Sequence, residues 1–175
     1  MAVALIVILI WYGVVPSYNL SWIVVTLIHL SLLPLLYGAY VYKTKRISDS
    51  EIMARQERIL PFFVITFMYG LYVAETLLFN APDIFKTLAF HFFVLALVLS
   101  TITLFWKVSV HTAGATQFVL LLVLLIGNNA LVLAPLVAFT GWLRIKMRSH
   151  DIRQVLGGIV VAAASAVVAI SLSRI

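Results

Sequence analysis

The chain has 175 residues, of which 64% are hydrophobic and only 10% charged, with a formal net charge of +6. A soluble domain carries about a quarter charged residues, so no soluble fold hides this much hydrocarbon, and lipid is the solvent for most of the chain. The sequence has no cysteine, which excludes thiolate catalysis, Cys-ligated zinc, iron–sulfur clusters and a disulfide framework.

Seven apolar segments follow one another, at about 2–15, 21–42, 61–79, 84–105, 112–126, 130–142 and 152–172. A spanning helix needs about 20 residues. The second, third, fourth and seventh segments meet that length, while the first, fifth and sixth are short. Extending the fifth back to Ser109 largely repairs it. The runs are too long, and too little alternating, for a lipid-facing barrel. The expected fold is therefore all-α: a polytopic transmembrane bundle of six to seven helices forming one domain over 1–175. The first run follows Met1 without a basic stretch or a cleavage site, so it reads as a retained helix.

Pro16-Ser-Tyr-Asn19, Asn80-Ala-Pro-Asp83 and Gly127-Asn-Asn129 have turn composition. The one substantial polar stretch runs from Lys43 to Arg58, where Ser48, Asp49, Ser50 and Glu51 are suited to cap a short surface helix. If the segments alternate across the bilayer, 43–60, 106–111 and 143–153 share one face. Ten of the twelve Lys and Arg lie there: Lys43, Lys45, Arg46, Arg55, Arg58, Lys107, Arg144, Lys146, Arg148 and Arg153. Only Lys86 and Arg174 lie opposite. Such a bias marks a cytoplasmic face under the positive-inside rule. It also suits an anion site for a phosphate headgroup.

Three clusters on that face carry chemistry. The first ends in Arg58-Ile-Leu-Pro61, the second is Lys107-Val-Ser109-Val-His111, and the third is Arg144, five residues, His150, three residues, Gln154. His150 and Gln154 are four apart at a helix start and share a face. A histidine held by a neighbour beside an arginine is suited to attack phosphorus, the arginine compensating the charge of a five-coordinate transition state. Ser109 adds a hydroxyl donor, and His111 an imidazole able to protonate a departing alkoxide. The alternative for Ser109 and His111 is a cap on the fifth segment. For His150 and Arg144 it is contact with lipid headgroups.

In these clusters the chain resembles the type-2 phosphatidic acid phosphatase superfamily of membrane lipid phosphatases. That family's signatures are Lys-x6-Arg-Pro, Pro-Ser-Gly-His and Ser-Arg-x5-His-x3-Asp. The resemblance covers roughly 43–172, with the clusters in the family's order. It implies that His150 forms a phosphohistidine, that His111 protonates the leaving group, and that Arg58, Arg144 and Ser109 grip the phosphate. It implies no metal and no cofactor. The expected partners are the membrane and an anionic lipid, with no nucleic acid, and the expected location is a cell membrane. Isoprenoid pyrophosphates, phosphatidic acid and phosphatidylglycerol phosphate are all admissible substrates. The sequence departs from the signatures at several places, with Pro61 displaced by two residues, Val108 for the proline of the second signature and Leu143 for the serine of the third. Glu51 stands where the family has lysine, leaving Arg55 or Lys107 to replace that cation. Gln154 stands for the orienting aspartate, and Val110 for glycine.

Away from the clusters, His29, Glu75 and His91 fall in or near apolar segments, where ionisable groups attract functional suspicion. Glu75 and His91 lie near the face opposite the clusters on adjacent segments, where they are placed to form a structural pair or to meet the interface, a proton path being the alternative. Trp11, Trp22, Trp106 and Trp142 lie at segment ends, as an interfacial belt places them. Two further readings compete with an enzyme: a non-catalytic relative that binds anionic lipid or scaffolds a partner, and a small transporter.

Overall fold

A computed structural model describes residues 2–11, 13–14, 19–44 and 55–173. The expected cap at Ser48–Glu51, the first turn at 16–18, and Lys45, Arg46 and Arg174 lie outside the described residues. Among those described, every regular element is helical. We number the helices α1 (Ala2–Trp11), α2 (Leu20–Lys43), α3 (Arg55–Leu78), α4 (Asp83–Thr103), α5 (Val110–Ile126), α6 (Pro135–Lys146) and α7 (Ile152–Ser173).

Four helices, α2, α3, α4 and α7, are long and apolar enough to cross a membrane. At 1.5 Å per residue they measure roughly 31–36 Å, matching a hydrocarbon core of about 30 Å. Their outward residues are apolar: Leu35, Phe67 and Val160 are each about two-thirds exposed. In water such a surface would aggregate, and in lipid it is the ordinary exterior. α5 has 17 residues, α6 has 12 and α1 has 10, so the three segments that read as short remain short.

Proline explains one departure from the expected boundaries and one irregularity inside a span. The sixth segment does not run on as one α-helix from Ala130. A 3₁₀ stretch, Asn128–Leu133, leads instead to Pro135 at the first turn of α6, because proline tolerates a helix start and clashes inside one. In α2 a π-helical stretch, Ile28–Leu32, lies just before Pro34, and such widening relieves a helix whose ladder proline interrupts. α3 departs differently. It begins at Arg55, not at Pro61, because hydropathy marks only the apolar part and the helix runs on into its polar flank.

The turns at Asn80 and Gly127 use residues that tolerate positive φ, at +48° and +82°. One apolar cluster joins α1, α2, α4 and α5 through Leu5, Ile23, Phe85, Leu88 and Leu121. α7 packs against α4, α5 and α6. Polar side chains tie neighbouring helices: the hydroxyls of Thr66 and Ser100 are 2.7 Å apart, and those of Thr26 and Tyr72 are 2.6 Å apart.

Glu75 and His91 do not pair. Glu75 Oε2 lies 3.6 Å from His29 Nε2, whereas the buried His91 meets its own helix at the Thr87 carbonyl, 2.8 Å from Nδ1. The α3–α4 hairpin sets this mismatch. Counted from the turn near Asn80, Glu75 is level with Lys86, and His91 lies about 7 Å deeper along the axis.

Candidate active site at the basic end of the bundle

The α6–α7 turn builds the first part of the site. α6 ends with Arg148 in the left-handed region at φ +55°. The amide of Arg148 donates to Ile145 O (2.9 Å) and that of Ser149 to Arg144 O (3.1 Å). This is the Schellman pattern of helix termination. The Arg144 carbonyl also accepts from the His150 amide at 3.2 Å and from Ser149 Oγ at 3.0 Å. The backbone of His150 is thus pinned to that of Arg144.

Asp151 then starts α7. Its carboxylate accepts from the Gln154 amide at 2.8 Å, and its carbonyl from the Val155 amide at 3.1 Å. Sequence reasoning missed Asp151, although Asp-x-x-Gln before an apolar run is a capping signal. In a full capping box the Gln154 side chain would reach back to the Asp151 amide. Here it turns to His150 instead.

His150 Nδ1 lies 2.8 Å from Gln154 Oε1. An amide oxygen only accepts, so Nδ1 carries the proton and the Nε2 lone pair faces outward from the pair. Burial lowers the pKa of this imidazole to about 4. The fields of Arg58, Lys107 and His111 act in the same direction, and the Gln154 hydrogen bond opposes them. At neutral pH the His150 ring is therefore uncharged.

The second cluster docks on the same residue. The Ser109 amide donates to the Gln154 carbonyl at 3.0 Å. Gly158, one turn further along α7, permits this approach, because a Cβ there would sit 2.6 Å from the Ser109 carbonyl oxygen. Ser109 is fully buried and caps α5, accepting from the Thr112 amide (3.4 Å) and sharing a 2.8 Å hydrogen bond with the Thr112 hydroxyl. The capping alternative describes what this side chain does. His111, two residues on, is exposed on the first turn of α5.

Cations complete the arrangement. Arg58, on the first turn of α3, is only 7% exposed and within the electrostatic reach of Arg144, Lys107 and His150. Burial, then Arg58, lowers the pKa of Lys107. Arg55 is engaged elsewhere. Its Nη1 donates to the Leu104 carbonyl and, at 3.4 Å, to the Thr103 carbonyl, closing the C-terminus of α4. Of the two cations considered as replacements at the position of Glu51, Lys107 lies within the cluster. Glu51 itself lies outside the described residues.

The structure therefore gathers Arg58, Lys107, Ser109, His111, Arg144, His150 and Gln154 at one end of the bundle. Among the described residues, no three His, Asp or Glu side chains group to hold a metal ion. Compared with known proteins, the chain matches no family model, no curated protein and no solved structure.

Proposed function

We propose that this membrane protein is a phosphatase of lipid phosphates or pyrophosphates, working through a phosphohistidine at His150. The observation that carries the reading is the His150–Gln154 hydrogen bond beside converging cations. It leaves a neutral Nε2 lone pair where an anion is attracted. Cations crowded into a buried site repel one another, and a phosphoryl group among them relieves that repulsion.

The Nε2 lone pair attacks phosphorus as the bond to the lipid oxygen breaks, and His111 delivers a proton to that oxygen. His111, now neutral, takes a proton from water as the water oxygen attacks phosphorus. The P–N bond then breaks and phosphate leaves. Arg58, Lys107 and Arg144 compensate the equatorial charge in both transfers. The substrate's tail stays in the bilayer while its headgroup meets the basic end. We place the protein in a cell membrane on this reading, with six to seven helices crossing or entering it.

A second reading has its own observation. The amide of Gln154 cannot balance the positive charge that develops on His150, and the analogous loss in a serine-protease triad costs about 10⁴ in rate. A lipid-binding relative with little activity is consistent with that.

The test is phosphate release by the purified full chain in detergent with a chelator present, offered phosphatidic acid and geranylgeranyl pyrophosphate. The enzyme reading expects release that disappears in His150→Ala and His111→Ala. Equal silence of all three proteins on a broad lipid panel rejects it and leaves the binding reading.

A further inference from the structure

Six residues, Leu104–Ser109, link α4 to α5 and carry Lys107. The far end of the link is pinned through the backbone, the Ser109 amide donating to the Gln154 carbonyl of α7. Trp106, Lys107 and Val108 lie outside the helices. A lysine has a flexible four-carbon stem, so its ammonium is placed only as well as the backbone it starts from. What fixes the backbone at Lys107 is the packing of its two neighbours.

That packing is on α7. The benzo edge of the Trp106 indole stands where a side chain at Gly157 would begin. A Cβ there would come within 2.5 Å of Trp106 Cζ3 and 3.6 Å of Val108 Cγ2. Carbon atoms in contact sit about 3.5–4.0 Å apart, so only glycine at 157 leaves room for the indole in this position. Val108 is buried with Leu95, Leu99 and Val161. Trp106 and Val108 therefore share the α7 side of the link. In an extended segment, as this one is at Ser109, successive side chains point to opposite sides. Lys107, between them, is thus turned from α7 toward the cation cluster, where Arg58 acts on it and it acts on His150. A tryptophan that serves only as an interfacial anchor needs no such slot. Trp106, 41% exposed, has an outer face for the interface and a glycine to receive its apolar edge.

We propose that Trp106 and Gly157 form a knob and slot that positions Lys107 for phosphate binding. Trp106 is a positioning residue: it touches no substrate and acts through the lysine beside it. The proposal rests on the phosphate-site reading above. It makes the cation that stands in for Glu51 depend on a seat outside the site, on the helix that also carries His150 and Gln154. A shift of the link along α7 would move Lys107 relative to His150 while leaving the His150–Gln154 hydrogen bond in place.

The test is a double-mutant cycle on the purified full chain: wild type, Trp106→Leu, Lys107→Met and the two combined. Gly157→Ala evicts the indole independently, and Trp106→Phe is the milder change should Trp106→Leu not fold. With phosphatidic acid as substrate, Trp106→Leu and Gly157→Ala are each expected to lower kcat/KM by about tenfold, as a displacement below about 1 Å at a phosphate-binding cation would. In the Lys107→Met background Trp106→Leu is expected to cost less than about twofold, while its loss of Tm is the same in both backgrounds. Losses of kcat/KM that multiply, or a Trp106→Leu protein as fast as wild type, overturn the proposal. If no lipid releases phosphate, the phosphatase reading fails, and acetylation of Lys107 by N-hydroxysuccinimide acetate, read by peptide mass spectrometry, decides the positioning. Burial, then Arg58, holds the Lys107 amine below the usual lysine range. Trp106→Leu and Gly157→Ala are then expected to raise the pH of half-maximal acetylation rate toward the ordinary lysine value. A half-maximal pH that neither variant moves overturns the proposal.

Discussion

Replacing Gln154 by glutamate changes one atom type and keeps the length of the side chain. The acceptor oxygen stays about where it is, 2.8 Å from His150 Nδ1, but it gains a formal charge. A carboxylate whose charge centre lies about 4 Å from the imidazolium is worth about 4 kcal/mol at an effective dielectric of about 20. Two effects follow. On the proposed mechanism, phosphorylation of His150 develops positive charge on the ring, so Gln154→Glu is expected to raise kcat by up to about a thousandfold. The same field favours the protonated ring before reaction. With a pKa of about 4, wild-type His150 is neutral and nucleophilic above that pH. The variant's pKa rises toward the ordinary imidazole value near 6.5, so the acidic limb of kcat/KM moves upward in pH. The assay is phosphate release from a lipid phosphate between pH 3.5 and 8, with Gln154→Leu as the control that removes the acceptor. An unchanged rate together with an unmoved acidic limb would refute the assigned pairing.

Other substitutions have expected outcomes of their own. Gly158→Ala puts a Cβ 2.6 Å from the Ser109 carbonyl, a backbone atom that cannot swing away, so thermal melting should show a loss of about 1–3 kcal/mol. Gly38→Ala, with nothing within 4 Å of the added carbon, should be neutral or stabilising in the same melting assay. Arg55→Met removes the guanidinium that closes α4. It should lower stability by about 1 kcal/mol while leaving kcat/KM within about threefold, whereas Arg58→Met should cost more than about a hundredfold. Arg148→Gly relieves a non-glycine residue at φ +55° and should raise Tm, by roughly 1 kcal/mol of stability.

Helices of this kind are legible because hydropathy is a property of the segment and lipid demands it throughout. α4 and α7 lie within a residue or two of the expected bounds for that reason. Sequence marks the apolar part of a helix and is silent on how far the backbone continues, so the Arg55–Leu60 turn of α3 was missed. The spacing from Arg144 through His150 to Gln154 was legible because one local turn sets it. The role of Arg55 was not, since it depends on where another helix ends, 49 residues along the chain. That Glu75 faces His29 and not His91 was hidden for a similar reason. Hydropathy locates a residue within a span, but which face of α3 meets α2 is fixed by packing. Asp151 was legible in principle, because its cap is local, yet the same Gln154 that completes the capping pattern also completes the histidine pattern, and the two signals overlap.

Gln154 meets His150 and the N-cap of α5 through different parts of itself. Its side chain receives His150, and its main-chain carbonyl receives Ser109. Only the first contact depends on which amino acid occupies the position. The docking of Ser109 on α7 is written in the backbone, so chemistry at residue 154 can drift between amide and acid without dismantling that contact. A chain built this way can change the charge facing His150 by one codon and restore it by another.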